Sequence, residues 1–231
     1  MGEVVSLDQR RRARGASRDS RVPASRAAAA PRVQTSFWFA LCSPSTYLAA
    51  ERADRLFPGL SWRPVLGAPG PARSPLAPRS ASVAMRAAEA RAAELRMPLV
   101  WPEGHPAAGR AAMRIASFAA ERGQASAFVL AASRLAFCGG FDLDDPEILA
   151  EAAAAAALPF DDCLRAAGDR SRDAAMRAAG EKLTALGADQ MPVLRIGRRL
   201  FCGEQRLAQA AAAVRDPCVQ RRVASLDGSA G

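Results

Sequence analysis

The sequence predicts an α/β fold in which a small sheet is split by a large all-helical insertion. Three observations carry this. Short apolar, strand-like runs occur only at residues 37–41, 60–67 and 192–202, about a hundred residues of helical spacing separate the second from the third, and Ala fills 55 of the 231 positions. An all-β architecture is excluded.

A chain of this length can bury one substantial core without staples. Its hydrophobic fraction is 50%, but about half of that is Ala, which buries little area, so the core must come from scattered Leu, Val, Ile, Met, Phe and Trp. The formal charge is +9, of which residues 1–33 carry +5 and the rest only +4. Residues 1–34 therefore read as a disordered basic tail, and with no basic stripe of interleaved aromatics after it no nucleic-acid partner is expected. No apolar run approaches membrane-spanning length and no signal-like apolar stretch opens the chain, so no membrane association is expected. Five cysteines, Cys42, Cys138, Cys163, Cys202 and Cys218, form no CxxC pair and are odd in number. That argues against a zinc ribbon or a disulfide framework, and for the reducing cytoplasm. The only histidine, His105, lies between Gly104 and Pro106 and reads as structural or solvated, so no metal site is expected.

The elements follow in order. FWFAL, Phe37–Leu41, has the length of a buried strand and stops at Cys42-Ser43-Pro44, where Pro44 suits the first turn of a helix over residues 45–56. LSWRPVLG then reads as a second strand, parallel to the first because a helix crosses between them. Beyond a Pro, Gly, Ser and Arg loop at 68–82, helices are predicted over 83–96, 107–137 and 146–186, with a break at Pro159. Asp145 caps the helix opened by Pro146, and Asp161 or Asp162 the next. PVLRI and RLFC form a hairpin through Gly197-Arg198, and a last helix spans residues 204–214. This is the thioredoxin order with a helical domain between the second and third strands. The predicted organisation is a basic tail (1–34), a split thioredoxin-like domain (35–67 and 188–215), a helical insertion (68–187) and a flexible C-terminal tail (216–231).

In this topology the first strand delivers Ser43 to a helix N-terminus, where unpaired N–H groups and the dipole favour an anion. A hydroxyl there can donate to a bound thiolate and lower the thiol's pKa; it can equally serve as a plain N-cap. Pro192 opens a central strand. A cis Met191-Pro192 bond would present the Met191 backbone to an extended ligand, and local sequence leaves both isomers open. Cys42, adjacent to Ser43, is expected to pack inward by strand alternation, with an activated thiol as the alternative. Trp62 and Trp101 read as core; Arg63 is a candidate for a substrate carboxylate.

FWFALCSPSTYLA resembles the opening of the glutathione-dependent 2-hydroxychromene-2-carboxylate isomerases and kappa-class glutathione transferases, FxFxxxSPYSYLA. WRPVLGA is similar to their second strand, MPLVWPEGHP with Arg114 downstream to their entry into the middle helices, and QMPVLRIGRRLFCGEQRL to their GVPTFxxxGxxFWGxDRL. The resemblance runs from Ser36 to Val214 through four collinear segments. It implies a glutathione site in which Ser43 holds the sulfur, Met191-Pro192 pairs with the cysteinyl backbone, and Glu204-Gln205 meets the γ-glutamyl end. It also implies a reaction on an aromatic or enone substrate: thiolate addition to a conjugated enone, bond rotation and elimination. Family members favour dimers. The chain departs from the pattern at Gln205, where the family carries an acid, at Ser45, where it carries an aromatic, and at Ala108, where it carries Asn. The competing readings are a kappa-type transferase or peroxidase, a degenerate non-catalytic binding protein, and a disulfide oxidoreductase. The last requires cysteines that Ser43-Pro44-Ser45-Thr46 lacks.

Overall fold

The apolar run at Phe37 becomes a strand inside the sheet. In the computed structural model, which describes residues 34–67, 78–102 and 109–215, β1 (Thr35–Phe39) lies between β2 (Ser61–Pro64) and β3 (Val193–Ile196), with β4 (Arg199–Cys202) beyond β3. β1 and β2 are parallel because α1 (Pro44–Leu56) returns the chain between them, whereas β3 is antiparallel to both β1 and β4. The mixed sheet and the Gly197-Arg198 hairpin match the sequence reading. β1 ends at Phe39, earlier than the apolar run implied, since Ala40 and Leu41 leave the ladder yet stay buried beneath the turn into α1.

Between β2 and β3 the described elements are all helical: α2 (Pro78–Leu95), α3 (Arg110–Glu121), α4 (Ala125–Phe137), α5 (Pro146–Ala155), α6 (Phe160–Gly168) and α7 (Arg172–Ala185). The stretch expected as one helix over 107–137 is broken at Gly123, whose φ of 72° ends α3. The amides of Gly123 and Gln124 turn back to the carbonyls of Ala120 and Ala119, satisfying two end acceptors. Asp145 caps α5 as expected, its carboxylate accepting from the Glu147 amide at 2.8 Å. The cap of α6 differs: Pro159 stands at the N-cap, and Asp161 and Asp162 lie in the first turn, where their charge complements the positive end of the helix dipole instead of capping it. A second unpredicted break separates α6 from α7, where Asp169 accepts from both the amide and the hydroxyl of Ser171. After β4 a 3-10 turn (Glu204–Arg206) leads into α8 (Leu207–Arg215).

Alternate side chains of β1 set the layering. Phe37 and Phe39 meet Trp62 at 4.6 and 5.9 Å between ring centroids and join a cluster with Leu48 of α1, Ile115 of α3, Phe128 of α4 and Leu207 of α8. On the opposite sheet face Val193 and Cys202 pack with Leu183 of α7, and burial pushes the Cys202 thiol up from its ordinary value. The structure thus has the expected α/β class. Among the described residues no helix is long and apolar enough to cross a membrane. The readings made for residues 1–33, His105, Ala108, Cys218 and the C-terminal tail from residue 216 fall outside the described residues.

Candidate active site

One end of the sheet collects the residues that the sequence singled out. The antiparallel β1–β3 register ends with Trp38 paired to Val193, so the end of β1 that leads on to Ser43 is the end at which Met191-Pro192 enters β3. The β3–β4 register likewise continues from Val193 and Cys202 to Pro192 and Gly203, closed by a hydrogen bond of 2.8 Å from the Gly203 amide to the Pro192 carbonyl. Ser43, Met191-Pro192 and the Glu204–Arg206 turn therefore share one strand end. The Met191-Pro192 bond is cis.

Ser43 is the N-cap of α1, half-buried, with φ −99° and ψ 117°; Pro44 occupies the first turn. Its backbone is fixed by a hydrogen bond from its amide to the Ala40 carbonyl (3.1 Å), while its carbonyl accepts from Thr46 (2.9 Å). Its side chain makes no capping hydrogen bond, and no acidic residue sits in the first turn of α1. The positive end of the helix dipole thus has no carboxylate of its own there. Thr46 follows one turn later. It is fully buried, and its hydroxyl has no hydrogen-bond partner. An unmet buried hydroxyl costs about 1–3 kcal/mol.

Glu204 and Gln205 take different environments. Glu204 is 2% exposed, and its carboxylate accepts from Arg52 of α1 and, at 2.6 and 3.1 Å, from Arg91 of α2. Arg91 also donates to Glu94 at 2.7 Å, so two guanidiniums face two carboxylates and the cluster is balanced in charge. Burial, then the charges of Arg91 and Arg55, push the Arg52 guanidinium down from its ordinary value. Gln205 is exposed and its amide donates to Gln190 at 3.3 Å. Gly203, between β4 and the turn, has φ 84° and ψ 154°, a backbone region open essentially to Gly alone.

Cys42 does not pack inward. It is exposed, because β1 has ended three residues earlier and strand alternation no longer applies. It lines a cleft of about 30 Å³ with Leu41, Pro102, Phe137 and Leu143, space on the scale of a single water. Tyr47 is committed elsewhere: its hydroxyl donates to the Pro98 carbonyl (3.0 Å) and meets Cys138 Sγ (3.1 Å), and burial raises its phenol well above the ordinary value. That contact seats the proline-punctuated segment beside α1. Trp62 is core and donates to Asp54, whereas Trp101 is half-buried and donates to Glu89. Arg63 lies over the Trp38 ring, 5.7 Å from its centroid. Arg114 grips buried Asp173 through hydrogen bonds of 2.8 and 3.0 Å, tying α3 to α7.

The sequence reading missed Arg91 and Thr46. Thr46 had a signal, its spacing of three from Ser43, which relates an N-cap to the third residue of its helix. Arg91 had none, since 113 residues separate it from Glu204.

No protein-family model and no curated protein sequence matches the chain. Solved structures do. A 2-hydroxychromene-2-carboxylate isomerase (HCCA isomerase) superposes with a TM-score of 0.63 at 18% identity, covering 81% of this chain and 97% of that one. A DsbA-type oxidoreductase of Streptomyces coelicolor gives 0.58 at 20% identity over 80% of this chain and 92% of that one. The cytosolic disulfide reductase DsbM of Pseudomonas aeruginosa, solved with GSH, gives 0.50 at 18% identity over 83% and 98%. At these identities the likeness shows the fold: the chain has the thioredoxin-like fold of HCCA isomerase and the DsbA-like proteins.

Proposed function

We propose that the chain binds glutathione at the N-terminus of α1 and acts as a glutathione-dependent isomerase of the 2-hydroxychromene-2-carboxylate isomerase type. The observation that carries the reading is the Ser43 hydroxyl, unused as a cap, at a helix N-terminus with no acid in its first turn and at the end of the sheet where Met191-Pro192 enters β3.

When bound, glutathione would supply a thiolate that adds to a conjugated enone and, after rotation about the new single bond, is eliminated. The chain's part is electrostatic. Ser43 donates its hydroxyl hydrogen to the sulfur, and the α1 dipole favours the ionised thiol over the neutral one. The Met191 backbone pairs with the cysteinyl backbone, and Gln205, in the turn before α8, faces the γ-glutamyl end. Glu204, closed over by Arg52 and Arg91, contributes there by fixing the turn. The substrate is a small aromatic or enone molecule, the setting the reducing cytoplasm, and a homodimer the assembly.

The DsbA-type and DsbM neighbours raise disulfide chemistry as a rival. It is disfavoured because positions 43 and 46 carry hydroxyls in place of a CxxC dithiol. A kappa-type transferase or peroxidase would use the same thiolate and differs in its second substrate. A non-catalytic binding module gains support from the closure of Glu204. Thermal unfolding with and without millimolar glutathione tests the common premise, a rise in midpoint being expected and no rise overturning it. Turnover of ring-opened chromene carboxylate then separates the isomerase from the module and the transferase.

A further inference from the structure

Ser43 is the N-cap of α1 and Thr46 the third helical residue, so the two lie within the first turn at the start of the helix. In an α-helix each Cα–Cβ bond tilts toward the N-terminus, so the Thr46 side chain leans toward the turn that holds Ser43. Thr46 is fully buried, which prevents it from touching a ligand, and its hydroxyl has no hydrogen-bond partner. The Ser43 side chain above it is not committed to capping. Two hydroxyls at one helix start, the inner one without a partner, supply the groups of a donor chain.

We propose that Thr46 is a positioning residue for the thiol site: its hydroxyl donates to Ser43 Oγ, which leaves the Ser43 hydrogen to donate outward to the bound sulfur. A Ser hydroxyl has one hydrogen and two acceptor lone pairs, so accepting from Thr46 costs it no donor. Receiving that bond polarises the Ser43 hydroxyl and strengthens its own donation. The inner bond also favours, among the Ser43 rotamers, one that directs the hydrogen to the ligand. The inference rests on the glutathione reading and adds to it a residue that the ligand never meets.

The test is a titration of the bound glutathione thiol, followed by thiolate absorbance, in the wild type, Thr46→Val and Thr46→Ser. Thr46→Val keeps the shape and removes the hydroxyl; Thr46→Ser restores it. The expected result is a thiol pKa higher by roughly 0.3–0.6 unit in Thr46→Val, with the wild-type value in Thr46→Ser. Where Thr46→Val does not fold, Thr46→Ala takes its place in the same comparison. Glutathione bound with one thiol pKa in all variants overturns the role of Thr46 alone. A rise shared equally by Thr46→Ser overturns it too, because packing and not the hydroxyl is then responsible. Failure of the wild type to bind glutathione, read by calorimetry before any titration, overturns the glutathione reading and this inference with it.

Discussion

Arg91 of α2 holds Glu204, at the start of the last turn, through two parallel hydrogen bonds of 2.6 and 3.1 Å, and Arg52 of α1 closes on the same carboxylate. One buried acid thus ties together a helix of the split α/β unit, a helix of the inserted segment and the turn after the sheet's last strand. With Arg52 and Arg91 27% and 35% exposed, the guanidiniums keep part of their hydration while the carboxylate has lost nearly all of it.

Glu204→Gln should therefore destabilise the fold by about 2–3 kcal/mol. This lies below the roughly 3–5 kcal/mol of a fully buried broken pair, because both arginines can turn to water. Arg91→Met should cost less, about 1 kcal/mol, since Arg52 still neutralises the carboxylate. Urea midpoints of the two variants check the order; equal losses would mean that Arg91 alone carries the contact.

Ser43→Ala should leave stability nearly unchanged, within about 0.5 kcal/mol. An N-cap Ser ordinarily contributes about 1 kcal/mol through a hydrogen bond that Ser43 does not make. Its effect should fall on function: a higher pKa for bound glutathione and lower turnover. A loss of stability approaching 1 kcal/mol in chemical denaturation would instead identify Ser43 as an ordinary cap.

Asp173 predicts acid sensitivity. Hydrogen bonds from Arg114, with the charges of Arg177 and Arg110, hold its carboxyl below the usual carboxylate range. Its folded-state pKa is thus depressed, so its contribution is fully present above the unfolded value of about 3.9 and is lost as pH falls from there through the folded value. Asp173→Asn should be less stable than wild type at pH 6, and the gap should narrow below about pH 4. Denaturation midpoints measured from pH 6 to pH 2.5 decide this, and a gap that stays constant would remove the ionised Asp173 from the account.

Gly203→Ala should destabilise by roughly 1–3 kcal/mol, because φ 84° with ψ 154° is strained for any residue with a Cβ. The added carbon would also stand 2.7 Å from the end of the Gln205 side chain and 2.9 Å from Gln190, which must move aside. Since Gln205 is an exposed polar group at this turn and is proposed to face the γ-glutamyl end, weaker glutathione binding should accompany the loss. Calorimetry of the folded variant checks it, and unchanged affinity would place Gln205 outside the site.

The sequence by itself determined which elements form and in what order. A short continuous apolar run marks β1, Pro44 opens α1, Asp145 caps α5, and Gly197-Arg198 turns the final hairpin, each through chemistry confined to a few neighbouring residues. The placement of Ser43 at a helix start was legible for the same reason. The breaks at Gly123 and Asp169 were less so, because an Ala-rich background keeps helical spacing on both sides of them. Only the tertiary structure decided the rest: the isomer at Pro192, the exposure of Cys42 where the strand had already ended, and the two arginines on Glu204. Those partners lie 152 and 113 residues away, and a pairing across such separations leaves no local periodicity. It arises when the sheet brings both halves of the chain together and leaves a buried carboxylate that must be neutralised.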